Sequence, residues 1–256
     1  MTRYILLLAW LIIFQACSNS GSEAQKANLS TITIQLHQSP KVHSDRYQVG
    51  ILVTDGVYNT ELTAPYDIFQ HTQYRKGIKA MDVFTIAAER KRIRTFEGLH
   101  ILPDYGFNDS HPKIDILVVP SAEHHLDTDL QDSTLVHWIR EIGQAAEWVT
   151  SHCDGAFMLA KAGLLDDVVS TTFPTDVEAY RTMFPDLDIR DSVLFVHDDK
   201  FITSAGGAKS FEAALYLCEF LYGKEIADQL AAGLVIDWQL SELKQPHLLD
   251  LTLAKK

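Results

Sequence analysis

Cys153, one of three cysteines in the 256-residue chain, has the sequence context of a reactive thiol. It follows the apolar, β-prone run Trp148–His152 and precedes a segment of helical composition that stops at Gly163. A strand that delivers a nucleophile directly into a helix, with the small Gly155 two positions later, is typical of a nucleophile elbow. The helix N-terminus would favour the thiolate over the thiol. The pattern predicts cysteine chemistry at the carboxyl edge of a parallel sheet.

Cys218 has a different context, because it lies in the mostly apolar helical stretch 211–221. That pattern predicts a cysteine packed in the core. Free cysteines are often buried and inert, which is the alternative for Cys153 as well. The position of Cys153 between a strand and a helix favours a functional thiol.

Cys17 ends an N-terminal segment with the features of a secretory signal. Arg3 is followed by the short apolar run 5–14 and by the small residue Ala16. The run is too short for a comfortable membrane span. A cysteine after the cut resembles the bacterial lipoprotein signal, so we expect lipidation of Cys17 and export to the cell envelope, either facing the periplasm or on the outer membrane. An ordinary signal peptide or an uncleaved anchor is the alternative.

The composition is that of a globular protein with an acidic balance. The chain is 46% hydrophobic and 22% charged, with a formal net charge of −12. Such a charge argues against a nucleic-acid partner. We divide the chain into a signal peptide (1–17), a flexible tether (18–45), one folded domain (46–240) and a C-terminal tail (241–256).

Within the domain, apolar strand-like runs alternate with helical segments. The predicted strands are 47–53, 83–87, a pair within 93–102, 115–119, 148–152, and a hairpin of 193–196 with 201–204. The predicted helices are 61–72, 130–146, the segment after Cys153, and a long helix after Gly207. This alternation predicts an α/β fold with a mostly parallel sheet covered on both faces.

Several motifs resemble the DJ/PfpI family of the class I glutamine amidotransferase-like superfamily. They are Asp55-Gly56-Val57, Glu61-Leu62-Thr63-Ala64-Pro65, the stretches 98–104 and 115–120, Cys153-Asp154-Gly155-Ala156-Phe157 with its continuation to 166, and Ser204-Ala205-Gly206-Gly207. The resemblance covers about residues 46–240. It is closest to isonitrile hydratases and to the amidotransferase-like domains of AraC-type regulators. It implies a flavodoxin-like three-layer α/β/α sandwich, a homodimer, and no cofactor.

The resemblance also implies that Glu61 is the acidic partner of Cys153. A carboxylate beside a thiolate is a like-charge pair, so one of the two groups should keep a proton. If Glu61 keeps it, Glu61 can donate a hydrogen bond to the sulfur and stabilise the thiolate. The alternative for Glu61 is a carboxylate placed in the first turn of a helix, where the dipole favours it.

The chain departs from its relatives around the cysteine. Members of PfpI type carry a histidine immediately after the cysteine, whereas here Asp154 follows and His152 precedes it. Other members have a histidine after the threonine pair that ends at Thr172, where this chain has Phe173. No general base is therefore adjacent in sequence, which disfavours protease or glyoxalase chemistry.

Two further groups of residues complete the predicted site, namely backbone donors and pocket residues. Backbone N–H groups of Ser121, Ala122 and Asp154 are candidate donors to an oxyanion, since the loop after strand 115–119 carries this role in relatives. His124 and His125 follow that loop, and together with Thr172 and Phe173 they are candidate pocket residues. Paired histidines also suit a metal, but no ligand-spaced carboxylate or cysteine accompanies them, so we predict solvated loop histidines and no metal.

Two functions remain open from the sequence. The first is a hydratase or lyase that acts on a small unsaturated substrate through Cys153 and Glu61, as isonitrile hydratases do. The second is a ligand-binding or oxidation-sensing domain without catalysis, in which the absent histidine is no handicap. Either function requires a small molecule as the partner.

The export signal is tested by mass spectrometry of the protein extracted from membranes. We expect an acylated Cys17 at the new N-terminus, and we expect Cys17→Ser to block processing or release the protein from the membrane fraction. Cys218→Ser is the control and should leave anchoring unchanged. Unprocessed protein that retains Met1 in the soluble fraction would contradict the prediction.

Overall fold

An eight-stranded sheet forms the centre of the protein in the computed structural model, which describes residues 40–243 and the backbone of 248–249. The predicted signal peptide, Cys17, residues 18–39 of the predicted tether and most of the predicted tail lie outside the described residues. The last part of the tether segment is described. There the backbone N–H of His43 donates to Asp82, and Arg46 pairs with the same carboxylate. No helix within the described ranges is long and apolar enough to span a membrane.

Most strands of the central sheet are parallel. The strands are β1 (Tyr47–Leu52), β2 (Met81–Ala87), β3 (Ile93–Arg94), β4 (His100–Ile101), β5 (Tyr105–Gly106), β6 (Ile116–Val119), β7 (Trp148–His152), β8 (Val169–Ser170), β9 (Asp188–Ile189), β10 (Phe195–Asp198), β11 (Phe201–Ser204) and β12 (Leu248–Leu249). The sheet order is β12-β10-β11-β7-β6-β1-β2-β5, while β3–β4 and β8–β9 form separate pairs. Within the central sheet, the described antiparallel contact is between β10 and β11.

Helices cover both faces of the sheet. They are α1 (Asn59–Gln70), α2 (Ser133–Ala145), α3 (Gly155–Lys161), α4 (Val177–Met183), α5 (Ser210–Tyr222) and α6 (Lys224–Gly233). Helices α1, α5 and α6 share one hydrophobic cluster with the sheet. Helices α2, α3 and α4 share the other. The result is the three-layer α/β/α sandwich that the sequence predicts.

The central strands are apolar on both sides because each face supplies one core. In β6, Ile116 and Val118 belong to the cluster under α1 and α5, whereas Leu117 and Val119 belong to the cluster under α2 and α3. Successive side chains of a strand point to opposite faces. A continuous apolar run is therefore what a parallel strand covered on both faces requires.

The predicted elements are present, with shifted ends and several additions. Helix α1 begins at Asn59, two residues before Glu61, and α2 begins at Ser133 because the Asp132 side chain accepts the N–H groups of Thr134 and Leu135. The hairpin of β10 and β11 and the pair of β3 and β4 are confirmed. The short elements β5, β8, β9 and α4 were not predicted, since two-residue strands and a seven-residue helix carry little periodicity. The ten-residue helix α6 was not predicted either.

Three parallel neighbours bring their carboxyl ends to one edge. Strands β6, β7 and β11 are adjacent, with Val119 opposite Ser151 and His152 opposite Ser204. The loops that follow these strands therefore start side by side, and they include the predicted site residues Ser121 and Ala122 after β6 and Cys153 after β7.

Gly155 allows the turn after β7 to lie against the end of β6. A Cβ added at Gly155 would lie 2.0 Å from the carbonyl oxygen of Val119, which is backbone and cannot rotate away. The elbow can therefore reach the sheet edge only if this position has no side chain.

We predict that Gly155→Ala destabilises the protein by about 1–3 kcal/mol, because the added methyl group must displace backbone. Denaturant unfolding measures the loss. The control is Gly233→Ala in the last turn of α6, where the nearest neighbour of the added Cβ is a flexible arginine end at 3.4 Å. There alanine should be neutral or stabilising. Equal effects of the two substitutions would contradict the close approach.

Candidate active site

Cys153 lies in a sharp turn between β7 and α3, as the sequence predicts. Its φ angle is +52°, in the left-handed region that costs energy for a residue with a side chain. The turn is held by the Cys153 N–H, which donates to the carbonyl of Ser204 at 2.9 Å. Gly206 packs directly on it, since an added Cβ there would lie 2.4 Å from the Cβ of Cys153.

Glu61 lies in the first turn of α1 and is buried, with 4% of its surface exposed. One carboxylate oxygen accepts the N–H of Ser121 at 3.0 Å. The other accepts the N–H of Gly207 at 2.9 Å. These donors come from the loops after β6 and β11, so the carboxylate joins three segments of the site instead of serving its own helix end.

The Cys153 thiol lies near this carboxyl, and its surroundings favour the protonated form of the thiol. Burial raises the pKa of Glu61, while the N–H groups of Gly207 and Ser121 and an interaction with the Cys153 thiol offset part of that rise. Burial, then the charge of Glu61, then that of Asp154 raise the pKa of Cys153 above its usual range. Burial and the two neighbouring carboxyl groups therefore oppose the expected preference for the thiolate.

Burial is the largest cause of the raised pKa of Cys153, and charge repulsion adds to it. Two unit charges about 4 Å apart repel by about 4 kcal/mol at an effective dielectric constant of about 20, which equals about three pKa units. A seven-residue helix offers at most about 0.5 of a unit charge at its N-terminus. The two carboxylates therefore outweigh the helix dipole at the sulfur.

Asp154 contributes its side chain to the site as well as its backbone. The Cys153 thiol donates to Asp154 Oδ2 at 3.6 Å, and Thr172 Oγ1 lies 3.0 Å from Asp154 Oδ1. Burial and the neighbouring charge of Asp176 raise the pKa of Asp154 to about 7, against hydrogen bonds from Thr172 and Cys153 that lower it. From the sequence only the backbone N–H of Asp154 was given a role, although the position of its charged side chain next to the cysteine was a signal.

The predicted oxyanion donors of the loop after β6 are already engaged. The Ser121 N–H donates to Glu61, and the Ala122 N–H donates to His125 Nδ1 at 3.3 Å. The Ser121 hydroxyl makes no hydrogen bond to the described residues. This hydroxyl and the Asp154 N–H both lower the pKa of Cys153, against the larger effects that raise it. They are therefore the candidate donors near the sulfur.

The two loop histidines differ from each other. The side chain of His124 is 48% exposed and lies 3.6 Å from Asp127. His125 is 1% exposed, which corrects the prediction that it is solvated. Burial lowers the pKa of His125 to about 3, so the ring is neutral. Its Nε2 lies 3.7 Å from Asp129, and within residues 40–243 no cluster of three metal-ligating side chains occurs.

The remaining predicted residues are Thr172 and Phe173. Thr172 is buried, and its hydroxyl also lies 3.1 Å from the Cys153 carbonyl oxygen. Phe173 is 36% exposed. His152 pairs with the Ser204 hydroxyl at 2.9 Å. Burial lowers the pKa of His152 to about 3.

Comparison with known proteins identifies the family of the chain. Residues 47–219 match the DJ-1/PfpI family. The chain belongs to that family. Isonitrile hydratase from Pseudomonas putida is 28% identical over 183 residues, which are 70% of this chain and 74% of the hydratase.

Other relatives include a transcriptional regulator, of which this chain covers only a part. The HTH-type transcriptional regulator CdhR from Pseudomonas aeruginosa is 31% identical over 102 residues, which are 40% of this chain but only 30% of the regulator. A crystal structure of a THiJ/PfpI family protein from Pseudomonas syringae superposes with a TM-score of 0.66 at 21% identity. It covers 80% of this chain and 85% of that protein. At this identity the structural match establishes the fold alone.

The two described cysteines should differ in reactivity with iodoacetamide. Cys218 is fully buried in α5, and burial raises its pKa. Cys153 is 7% exposed and lies in a turn at the sheet edge. We expect limited labelling of the native protein, followed by peptide mapping, to modify Cys153 before Cys218. Unfolded protein is the control and should show equal labelling. Preferential labelling of Cys218 in the native protein would contradict the assignment.

Proposed function

We propose that this protein is a cysteine-dependent hydratase that adds water to a small unsaturated substrate, as an isonitrile hydratase does. The observation that carries the proposal is the buried Glu61 carboxyl, which two backbone N–H groups hold in place and whose pKa the neighbouring Cys153 thiol lowers. A fixed carboxyl beside a protonated thiol can accept the thiol proton and pass it to the substrate. The match to isonitrile hydratase over 74% of that enzyme supports this choice of substrate.

The chemistry requires no group beyond the described residues and water. In the first step the sulfur of Cys153 bonds to the terminal carbon of the isonitrile, and the thiol proton moves through Glu61 to the same carbon. This addition gives a thioimidate in which carbon is doubly bonded to nitrogen. Water then adds, with hydroxyl on carbon and a proton on nitrogen. The carbon–sulfur bond breaks, the hydroxyl proton returns to sulfur, and the product is an N-substituted formamide.

Anionic charge that develops on the substrate would meet two donors. The Ser121 hydroxyl and the Asp154 N–H both lower the pKa of Cys153, which makes them the candidate donors. Donors fixed at the place where charge develops are the usual large contribution to catalysis in such sites. The buried setting of Cys153, at 7% exposure, suits a small substrate.

Hydrolytic chemistry is less favoured by the same site. His152 and His125 are buried, neutral and bonded to Ser204 and Ala122. His124 faces solvent and Asp127. No imidazole is therefore bonded to the thiol among the described residues, in contrast to the cysteine–histidine pairs of hydrolases.

Ligand binding without turnover is the second candidate. The named regulators among the relatives favour it, since their matching regions belong to proteins described as transcriptional regulators. Oxidation sensing has less support, because oxidation needs thiolate character and the pKa of Cys153 is raised by burial and two carboxylates. A homodimer and a membrane anchor through Cys17 remain part of the proposal and rest on the sequence resemblance.

Turnover of small alkyl and aryl isonitriles, followed by formation of the formamide, tests the proposal. We expect activity in the full-length protein, loss of at least about 10²-fold in Cys153→Ala, and no change in the matched control Cys218→Ala. Glu61→Gln should also lose activity, because an amide cannot exchange the proton. Its unfolding midpoint must be measured too, since the amide nitrogen would face a backbone N–H.

The outcomes separate the two candidates. Formamide production that depends on Cys153 supports the hydratase. Saturable binding of a small molecule without turnover, lost in Cys153→Ala, supports a ligand-binding domain. Turnover that survives Cys153→Ala would contradict both.

A further inference from the structure

We propose that the Asp154 carboxylate is a second acid–base group at Cys153, which accepts the thiol proton when sulfur forms a bond and returns it when that bond breaks. The proposal rests on the contacts of Cys153 and not on the identity of the substrate. It adds a role for a side chain whose backbone alone was assigned from the sequence.

The geometry places Asp154 on the reacting atom. The Cys153 thiol donates to Asp154 Oδ2 at 3.6 Å, the distance expected of a sulfur donor. The other oxygen, Oδ1, lies 3.0 Å from the Thr172 hydroxyl. Each oxygen therefore has a defined partner, and the oxygen on the sulfur is the one that can exchange the proton.

Asp154 does not have the structural role that is usual for an aspartate at its position. Asp154 occupies the N-cap of α3, where an aspartate usually accepts backbone N–H groups of the first turn. Its side chain makes no such bond. With 8% of its surface exposed, the carboxylate is buried against the thiol and Thr172 instead. A buried carboxylate turned away from its helix and towards a thiol has a place in the chemistry of that thiol.

The two carboxyl groups at the sulfur are held differently. Each oxygen of Glu61 accepts a backbone N–H, which stabilises its ionised form. Asp154 has one hydroxyl donor and the thiol, and it faces the like charge of Asp176 at the start of α4 and of Glu61 on α1. Burial, and then the charges of Cys153, Asp154 and Glu61, raise the pKa of the Tyr58 phenol. Asp154 is therefore the group that keeps a proton closer to neutral pH.

Proton exchange between Asp154 and Cys153 makes a specific pH profile. Once Asp154 has lost its proton, the thiol proton can move to it, and a neutral carboxyl then donates to the thiolate. The reactive form has one proton fewer than the fully protonated pair, so its amount rises as Asp154 ionises and then levels off. Because the pKa of Asp154 is raised to about 7, the rise should centre near pH 7.

The test is the rate of iodoacetamide alkylation of Cys153 in the full-length protein from pH 5 to pH 10. Wild type should show a rise near pH 7 followed by a plateau. Asp154→Asn should lose the rise and react more slowly at neutral pH by on the order of tenfold, a fraction of the 10²–10⁴-fold known for positioned acid–base groups. If Asp154 were only a repelling charge, Asp154→Asn would instead react faster at every pH, and the proposal would be wrong.

Two near-isosteric variants shift the profile in opposite directions while keeping Asp154. Thr172→Val removes a donor to the carboxylate and should move the rise to higher pH by roughly 0.5–1 unit. Asp176→Asn removes a like charge and should move it to lower pH by a similar amount. Shifts in one common direction, or none, would overturn the proposal even if Asp154→Asn failed to fold.

The outcome is separate from that of the proposed function. Shifted profiles in a protein without isonitrile turnover would leave Asp154 as the proton partner of a binding or sensing thiol. Isonitrile turnover with an unshifted alkylation profile in all three variants would support the hydratase and refute the role of Asp154.

Discussion

One buried thiol between two carboxyl groups is the constraint on which the site depends. Cys153, Glu61 and Asp154 each have less than a tenth of their surface exposed, so water cannot screen three charges. The pKa of each group is raised, in each case first by burial. Burial therefore favours the protonated, neutral form of each group, and the ionisation of one group depends on the charge of the others.

The fold supplies this arrangement through one edge of the sheet. The loops after β6, β7 and β11 begin side by side, and each contributes one part: the N–H and hydroxyl of Ser121, the elbow at Cys153, and the N–H of Gly207. Glycines make the approach possible. Gly155 lies against the end of β6, and Gly206, with φ +75°, lies against the elbow. The strain at Cys153, with its positive φ, is fixed by these packed neighbours.

Much of the fold follows from the sequence, because buried parallel strands leave long apolar runs and the elbow has a recognisable strand-to-helix boundary. The candidate residues Cys153 and Glu61 come from that pattern and from the family resemblance, and each lowers or raises the pKa of the other in the structure. The surroundings of the sulfur oppose the expected thiolate, since a sequence shows the helix start but not how closely two carboxylates and little solvent surround the sulfur. The burial of His125 was missed for the same reason.

The finer parts of the site depend on partners distant in sequence. Asp154 meets Thr172 and the charge of Asp176, and Ser121 N–H meets Glu61 across 60 positions. Such pairings follow from three-dimensional packing, and neither composition nor spacing encodes them. The one local signal was that Asp154 is adjacent to the cysteine. The structure gives this signal its meaning, because the Asp154 side chain makes no capping hydrogen bond to its helix.

The most direct measurement of the central claim is a thiolate absorbance titration of Cys153, taken as the difference between wild type and Cys153→Ala. We predict little Cys153 thiolate at neutral pH and a main titration step above the ordinary cysteine value of about 8.5, because burial and two carboxylates disfavour the negative charge on sulfur. A main step within the range of about 3.5–7.5 that is typical of thiols activated by positive surroundings would contradict it.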